Sequence, residues 1–312
     1  MTIVVPDVVD EPAPRKPTRR RRVGRFTPRD VAVVGVLLGI PVALDVLLIW
    51  GPTLASVGLS FTSWDLVKPI KPVGTQNYEY IFDTYPKFWP AFQHNVLWLL
   101  FLALVATPFG LLLAVLLDKQ VRLTRFYQTT LYLPVVLSLA VVGFIAQLIY
   151  SRDYGVLNAV IGRTDNPVDW IGDPSINLWA VLVLVGWRHV GYVMLLYLAG
   201  LKAVDPTLKE AAAIDGANEV QTFLRVVFHA LRPVHVIVLV ITFIEALRAF
   251  DVAYAINRGR NGLELLSVLV TDHIVGEASL IGIGSAIAVV MLVISTVFII
   301  TYLTQAFRQD PR

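Results

Sequence analysis

Three charged residues, Glu245, Arg248 and Asp251, sit at i, i+3 and i+6 in one of the most apolar stretches of this 312-residue chain. On a helix that spacing keeps them within about a third of the circumference. A second apolar stretch holds Trp187, Arg188, His189 and Tyr192, and two others hold the single amides Asn95 and Gln147. Charge inside an apolar run is costly and turns toward a bundle interior or a wet cavity. Carboxylates, guanidinium groups and stacking rings on such a cavity suit the passage of a hydroxyl-rich solute. All of these residues except His189 are therefore candidates for a translocation path. The competing reading has Glu245, Arg248 and Asp251 neutralise one another, or pair across helices, and simply hold the bundle together. His189 alone reads as a packing residue rather than a ligand or proton relay.

No catalytic constellation accompanies them. The chain has no cysteine, which excludes thiol catalysis, disulfides and iron–sulfur clusters. It lacks a Gly-x-x-x-x-Gly-Lys-Ser/Thr loop, so ATP is not bound by that route. No His/Glu spacing suggests a metal, and Gly282-Ile-Gly284 reads as helix packing. The expectation is no catalytic residue, no metal and no cofactor belonging to this chain.

The elements that must position the charges are membrane spans. Of the residues, 56% are hydrophobic and only 16% charged, and mean hydropathy is +0.68. Several runs exceed the roughly 18 apolar residues needed to cross a bilayer. The sequence predicts an all-α polytopic membrane protein with six transmembrane helices, near 31–50, 95–117, 131–150, 176–201, 234–256 and 281–303. The domain organisation that follows is a basic disordered tail at 1–29, a transmembrane domain at 30–307 and a short C-terminal end at 308–312. Counting Lys and Arg with the tail inside gives 17 on that side against 7 on the other. That excess places both termini in the cytoplasm of a multi-pass protein of the cell membrane. The opposite loops are aromatic-rich, with Trp64, Tyr78, Tyr80 and Trp89. They read mainly as interfacial anchors, with a docking surface for an external partner as the lesser expectation.

One loop on the cytoplasmic side, 202–232, does not read as a linker. Asp205 can cap a helix whose first residue is Pro206, and Gly216 sits where a left-handed C-cap belongs. A second helix from Asn218 carries an apolar stripe of Val220, Phe223, Leu224, Val227, Phe228 and Leu231, opposite Gln221, Arg225 and His229. Pro233 then opens the fifth span. A helix as short as the first is marginal in water, so something must cover it. A nucleic-acid-binding helix-turn-helix is disfavoured, because the first helix is acidic and the loop leaves little clearance.

Glu210-Ala211-Ala212 followed by Asp215-Gly216-Ala217 resembles the EAA loop of permease subunits of binding-protein-dependent ABC importers, in their carbohydrate branch. The likeness extends over nearly the whole chain after residue 30, through Ser60-Phe61-Thr62-Ser63-Trp64-Asp65, Asn77-Tyr78, Phe88-Trp89 with Asn95, and Phe250-Asp251. Two places depart from the pattern: Val226-Val227-Phe228-His229 replaces the family's Ile-x-Leu-Pro, and Asn257–Gly262 replaces its glycine-rich turn. The resemblance implies the type I ABC importer permease fold. It makes Glu210, Ala211, Ala212, Asp215 and Gly216 the coupling helix that docks in a cytoplasmic ATPase. Two ATPase subunits holding ATP and Mg, a second homologous permease and an extracytoplasmic solute-binding protein would be partners. The implied cargo is a disaccharide or short oligosaccharide, with glycerol-3-phosphate or a related phosphodiester as the alternative. An ion-coupled secondary transporter using the Glu245 set, or a membrane scaffold, are the rival classes.

Overall fold

The computed structural model describes residues 27–119, 122–276 and 279–308. Most of the expected basic tail, and residues 309–312 of the expected C-terminal end, lie outside them. The chain divides into two compact units, Met1–Thr53 and Leu54–Arg312.

The described part of the first unit is helical. Thr27 and Asp30 form a capping box, with the Thr27 N–H donating to Asp30 Oδ2 at 2.9 Å and the Asp30 N–H to Thr27 Oγ1 at 3.3 Å. Pro28 takes the first helical position, where its missing N–H costs nothing. The apolar helix that starts there, α1 (Pro28–Asp45), runs 18 residues. It is apolar on every side, as lipid solvation requires.

The second unit is an all-helical bundle, with no strand among the described residues. Its membrane-length helices are α2 (Phe88–Asp118), α5 (Asn177–Ala203) and one later helix ending near Gln305. Between α2 and α5 come α3 (Thr124–Val136) and α4 (Leu139–Tyr150), which meet at 98°. The expected third span is therefore not one straight helix. Pro134 removes a donor from the last turn of α3, Leu137 is extended, and the Ser138 hydroxyl accepts the Val141 N–H to start α4.

After α5 come α6 (Pro206–Ile214) and α7 (219–230). Then follow α8 (Arg232–Leu247), α9 (Asp251–Asn257), α10 (Leu266–Ile274) and α11 (Ile281–Arg308). The expected fifth span is thus broken between Leu247 and Asp251. The expected second, fourth and sixth spans lie on α2, α5 and α11, while α10 was not anticipated.

Helix α5 is the centre. Two-thirds of its most apolar window is buried, more than for any other span-length helix described. One buried cluster groups its Leu182, Val185 and Val190 with Trp98, Val142 and Ala253. A second groups its Val193, Met194 and Tyr197 with Ala114, Val227 and Leu231. Close approach is made by small residues, as between helices in lipid generally. A Cβ added at Gly191 would lie 2.3 Å from the Leu131 carbonyl oxygen on α3.

That contact makes a prediction. Gly191→Ala pushes on backbone, so it should destabilise the protein by about 1–3 kcal/mol. Gly58→Ala, with nothing within 4 Å of the new methyl, should leave the melting temperature in detergent unchanged.

Candidate functional site

Two side-chain amides hold the broken fifth span, one before the break and one at the end of α9. Asn95 Nδ2 on α2 donates to the Ala246 carbonyl at 2.7 Å, near the end of α8. Its Oδ1 accepts the Leu266 N–H at 2.9 Å, at the first residue of α10. Gln147 Nε2 on α4 donates to the Ala255 and Ile256 carbonyls at 2.6 and 2.9 Å, at the end of α9. Backbone groups freed inside a membrane must find partners within the protein, and these amides supply them.

The segment so held borders a cavity of about 190 Å3 whose polar lining is Arg188, His189, Glu245, Arg248 and Asp251. Glu245 reaches across to α5. The His189 Nδ1–H donates to its Oε2 at 2.7 Å, and Arg188 Nη1 lies 3.6 Å from its Oε1. His189 is 2% exposed, and its Nε2 is bracketed by the Thr242 and Thr107 hydroxyls at 3.2 and 3.4 Å. A partly buried charge held by several partners across helices is the form in which such a group is tolerated inside a span. The cross-helix pairing therefore describes Glu245. Arg248 and Asp251 make no ion pair among the described residues and stay open to the cavity. The Arg188 Nε, buried, has no hydrogen-bond partner among them either.

The cavity thus gathers Arg188, Glu245, Arg248 and Asp251 from the candidate path. The other four lie elsewhere. Asn95 and Gln147 brace the break. Trp187, on the other side of α5, borders a separate apolar pocket with Phe101, Phe109 and Leu131. Tyr192 packs against the second core cluster. His189 and its two threonines were not foreseen as a junction, because their contacts span 53 to 82 residues.

The second constellation is the elbow. The Asp205 carboxylate accepts the Thr207 N–H at 2.9 Å, and Pro206 opens α6. At the far end Gly216 has φ of +78°, a conformation that costs glycine little. The Ala217 N–H returns to the Ala212 carbonyl and the Gly216 N–H to that of Ala213, the paired bonds of a Schellman turn. Ala212 is 7% exposed and turns inward, with α6 packing on the 223–227 turn. Glu210, Ala211, Asp215 and Gly216 face outward, as does Ile214 at 86% exposure. Hydrogen bonding to the Thr207 backbone N–H holds the Asp205 carboxyl below its usual range.

The apolar stripe expected on α7 is split. A Phe228 N–H to Phe223 carbonyl bond widens one turn, which rotates everything after it. Val227 and Leu231 are buried, while Val220 and Leu224 are 66% and 55% exposed.

Residues 106–310 match the family model described as the binding-protein-dependent transport system inner membrane component. The chain belongs to this family. It is the permease subunit of an ABC importer, a multi-pass membrane protein and not itself the catalytic subunit. The xylose/arabinose import permease protein XacH of Haloferax volcanii is 32% identical over 284 residues, covering 87% of each chain. The arabinooligosaccharides transport system permease protein AraP of Halalkalibacterium halodurans is 33% identical over 274 residues, covering 83% of each. A solved bacterial ABC transporter that imports the acidic polysaccharide alginate shares the fold. Its TM-score is 0.78 at 18% identity, over 91% of this chain and 98% of that one. The family match takes in the elbow and the charged residues of the cavity, but not Asn95 or the Trp98 and Leu102 side of the cavity wall.

The Asp205 cap can be tested directly. Asp205→Ala should loosen the start of α6 and speed amide exchange across 207–214 roughly fivefold. Because the folded-state carboxyl titrates below its unfolded value, the cap's contribution is present above the unfolded pKa. It is lost as pH falls through the folded one. Acidification should therefore erase the difference between variant and native protein.

Proposed function

We propose that this permease carries a short, hydroxyl-rich sugar through the Arg188–Glu245–Arg248–Asp251 cavity, driven by ATPase subunits that dock on α6. The observation that carries the reading is α6 itself: locked at both ends, yet presenting Glu210, Ala211, Ile214 and Asp215 outward. An exposed Ile and two carboxylates on a preformed helix suit a partner cleft with an apolar floor and basic rim. Similarity to pentose and arabinooligosaccharide permeases supports a sugar as cargo. Arg248 and Asp251, open to the cavity, supply donors and acceptors for its hydroxyls.

In this scheme both termini and the elbow are cytoplasmic, in keeping with the Lys and Arg excess on that side. Two ATPase subunits hold ATP and Mg, and this chain holds no cofactor. A similar but distinct second permease completes the pathway, and a solute-binding protein delivers the cargo from outside. ATP-driven closure of the ATPases moves α6, and the spans alternate between inward-open and outward-open.

Glu210→Ala removes a charge-assisted contact, so cargo-stimulated ATP hydrolysis by the reconstituted complex should fall about tenfold or more. Gly216→Val forces a branched residue to φ near +78° and should have a similar effect. Uptake that persists in vesicles holding a proton gradient but no ATPase subunits would overturn ATP coupling.

A further inference from the structure

We infer that Asp118 is the positioning residue through which α6 moves the membrane helices, an inference that rests on α6 being the coupling helix. Asp118 is the last residue of α2. Its carboxylate lies 2.7 Å from Lys202 Nζ at the end of α5 and 3.5 Å from Lys209 Nζ on α6. The next residue, Lys119, places Nζ 2.5 Å from Glu219 Oε2 at the head of α7. Two consecutive residues at the end of one span therefore contact three other helices.

The tie matters because apolar packing there is incomplete. A groove of about 500 Å3 separates parts of α6 and α7 from the ends of α2 and α5, bordered by Val115, Leu201, Ala213, Phe223 and Leu224. Ala212 is the only residue of α6 that is buried. A force on α6 meets few side chains in contact beneath it, and the charged contacts carry it onward. Isolated exposed pairs contribute little, since hydration and side-chain entropy offset them. Asp118 differs: its side chain is only 18% exposed and faces two ammonium groups. Lys209 immediately precedes Glu210, so one turn of α6 faces the partner with one residue and α2 with its neighbour. From Asp118, α2 leads up to Thr107 at the His189 junction and to Asn95 at the helix break.

The test uses the complete reconstituted transporter and reads cargo imported per ATP hydrolysed, alongside the rate of hydrolysis. Asp118→Asn should lower import per ATP about fivefold while cargo-stimulated hydrolysis stays near the native rate. Asp118→Glu, which keeps the charge, should restore the ratio. Lys209→Gln changes a partly exposed side chain and leaves folding intact. It should lower the ratio alone, and should add nothing in the Asp118→Asn background. Unchanged import per ATP in Asp118→Asn, or independent additive effects of the two substitutions, would overturn the inference. If Glu210→Ala still shows full cargo-stimulated hydrolysis, the coupling-helix reading fails and the role of Asp118 with it. If Glu210→Ala loses stimulation while Asp118→Asn imports normally per ATP, only the role of Asp118 fails.

Discussion

A membrane-embedded chain cannot leave backbone carbonyls without partners, and this permease breaks a helix where that rule is strictest. At the gap between Leu247 and Asp251, Asn95 takes the Ala246 carbonyl and the Ser267 hydroxyl that of Ala249, while Gln147 takes the carbonyls at the far end of α9. Each amide comes from a different helix, so the break also welds α2 and α4 to the α8–α9 segment. Without it Arg248 and Asp251 would ride on a continuous helix. With it they sit at loosened backbone beside the cavity. A polar opening is made without exposing unsatisfied main chain to lipid.

Glu245 is the complementary constraint. Its contacts with Arg188 and His189 fasten α8 to α5 just before the break. Helix α5 then continues for more than a dozen residues to Ala203, roughly 20 Å at the ordinary rise, and passes directly into the elbow. Cavity and elbow are thus two ends of one buried rod.

What the sequence made legible was mostly local. Asp205, Pro206 and Gly216 announce the start and stop of α6 because capping depends on residues a few positions apart. The spans announced themselves by composition. The 98° bend between α3 and α4 was signalled by Pro134 and Ser138, but hydropathy averages across such features. The α7 stripe failed for another reason: a 3.6-residue period presumes a regular helix, and the wide turn at 223–227 does not obey it. Asn95, Gln147 and Asp118 were legible as polar residues but not as braces and a tie. Their partners lie 84 to 171 residues away, and only the fold brings them together.

The Schellman turn at Gly216 has a consequence for assembly. A helix whose first φ is set by proline and whose end is closed by its own backbone has little conformational freedom to lose on contact. Partner binding at α6, as proposed, need not order it, which favours close to rigid-body docking. Affinity then resides in the outward face alone. In the proposed scheme, a joint of that kind can be gripped firmly and released quickly.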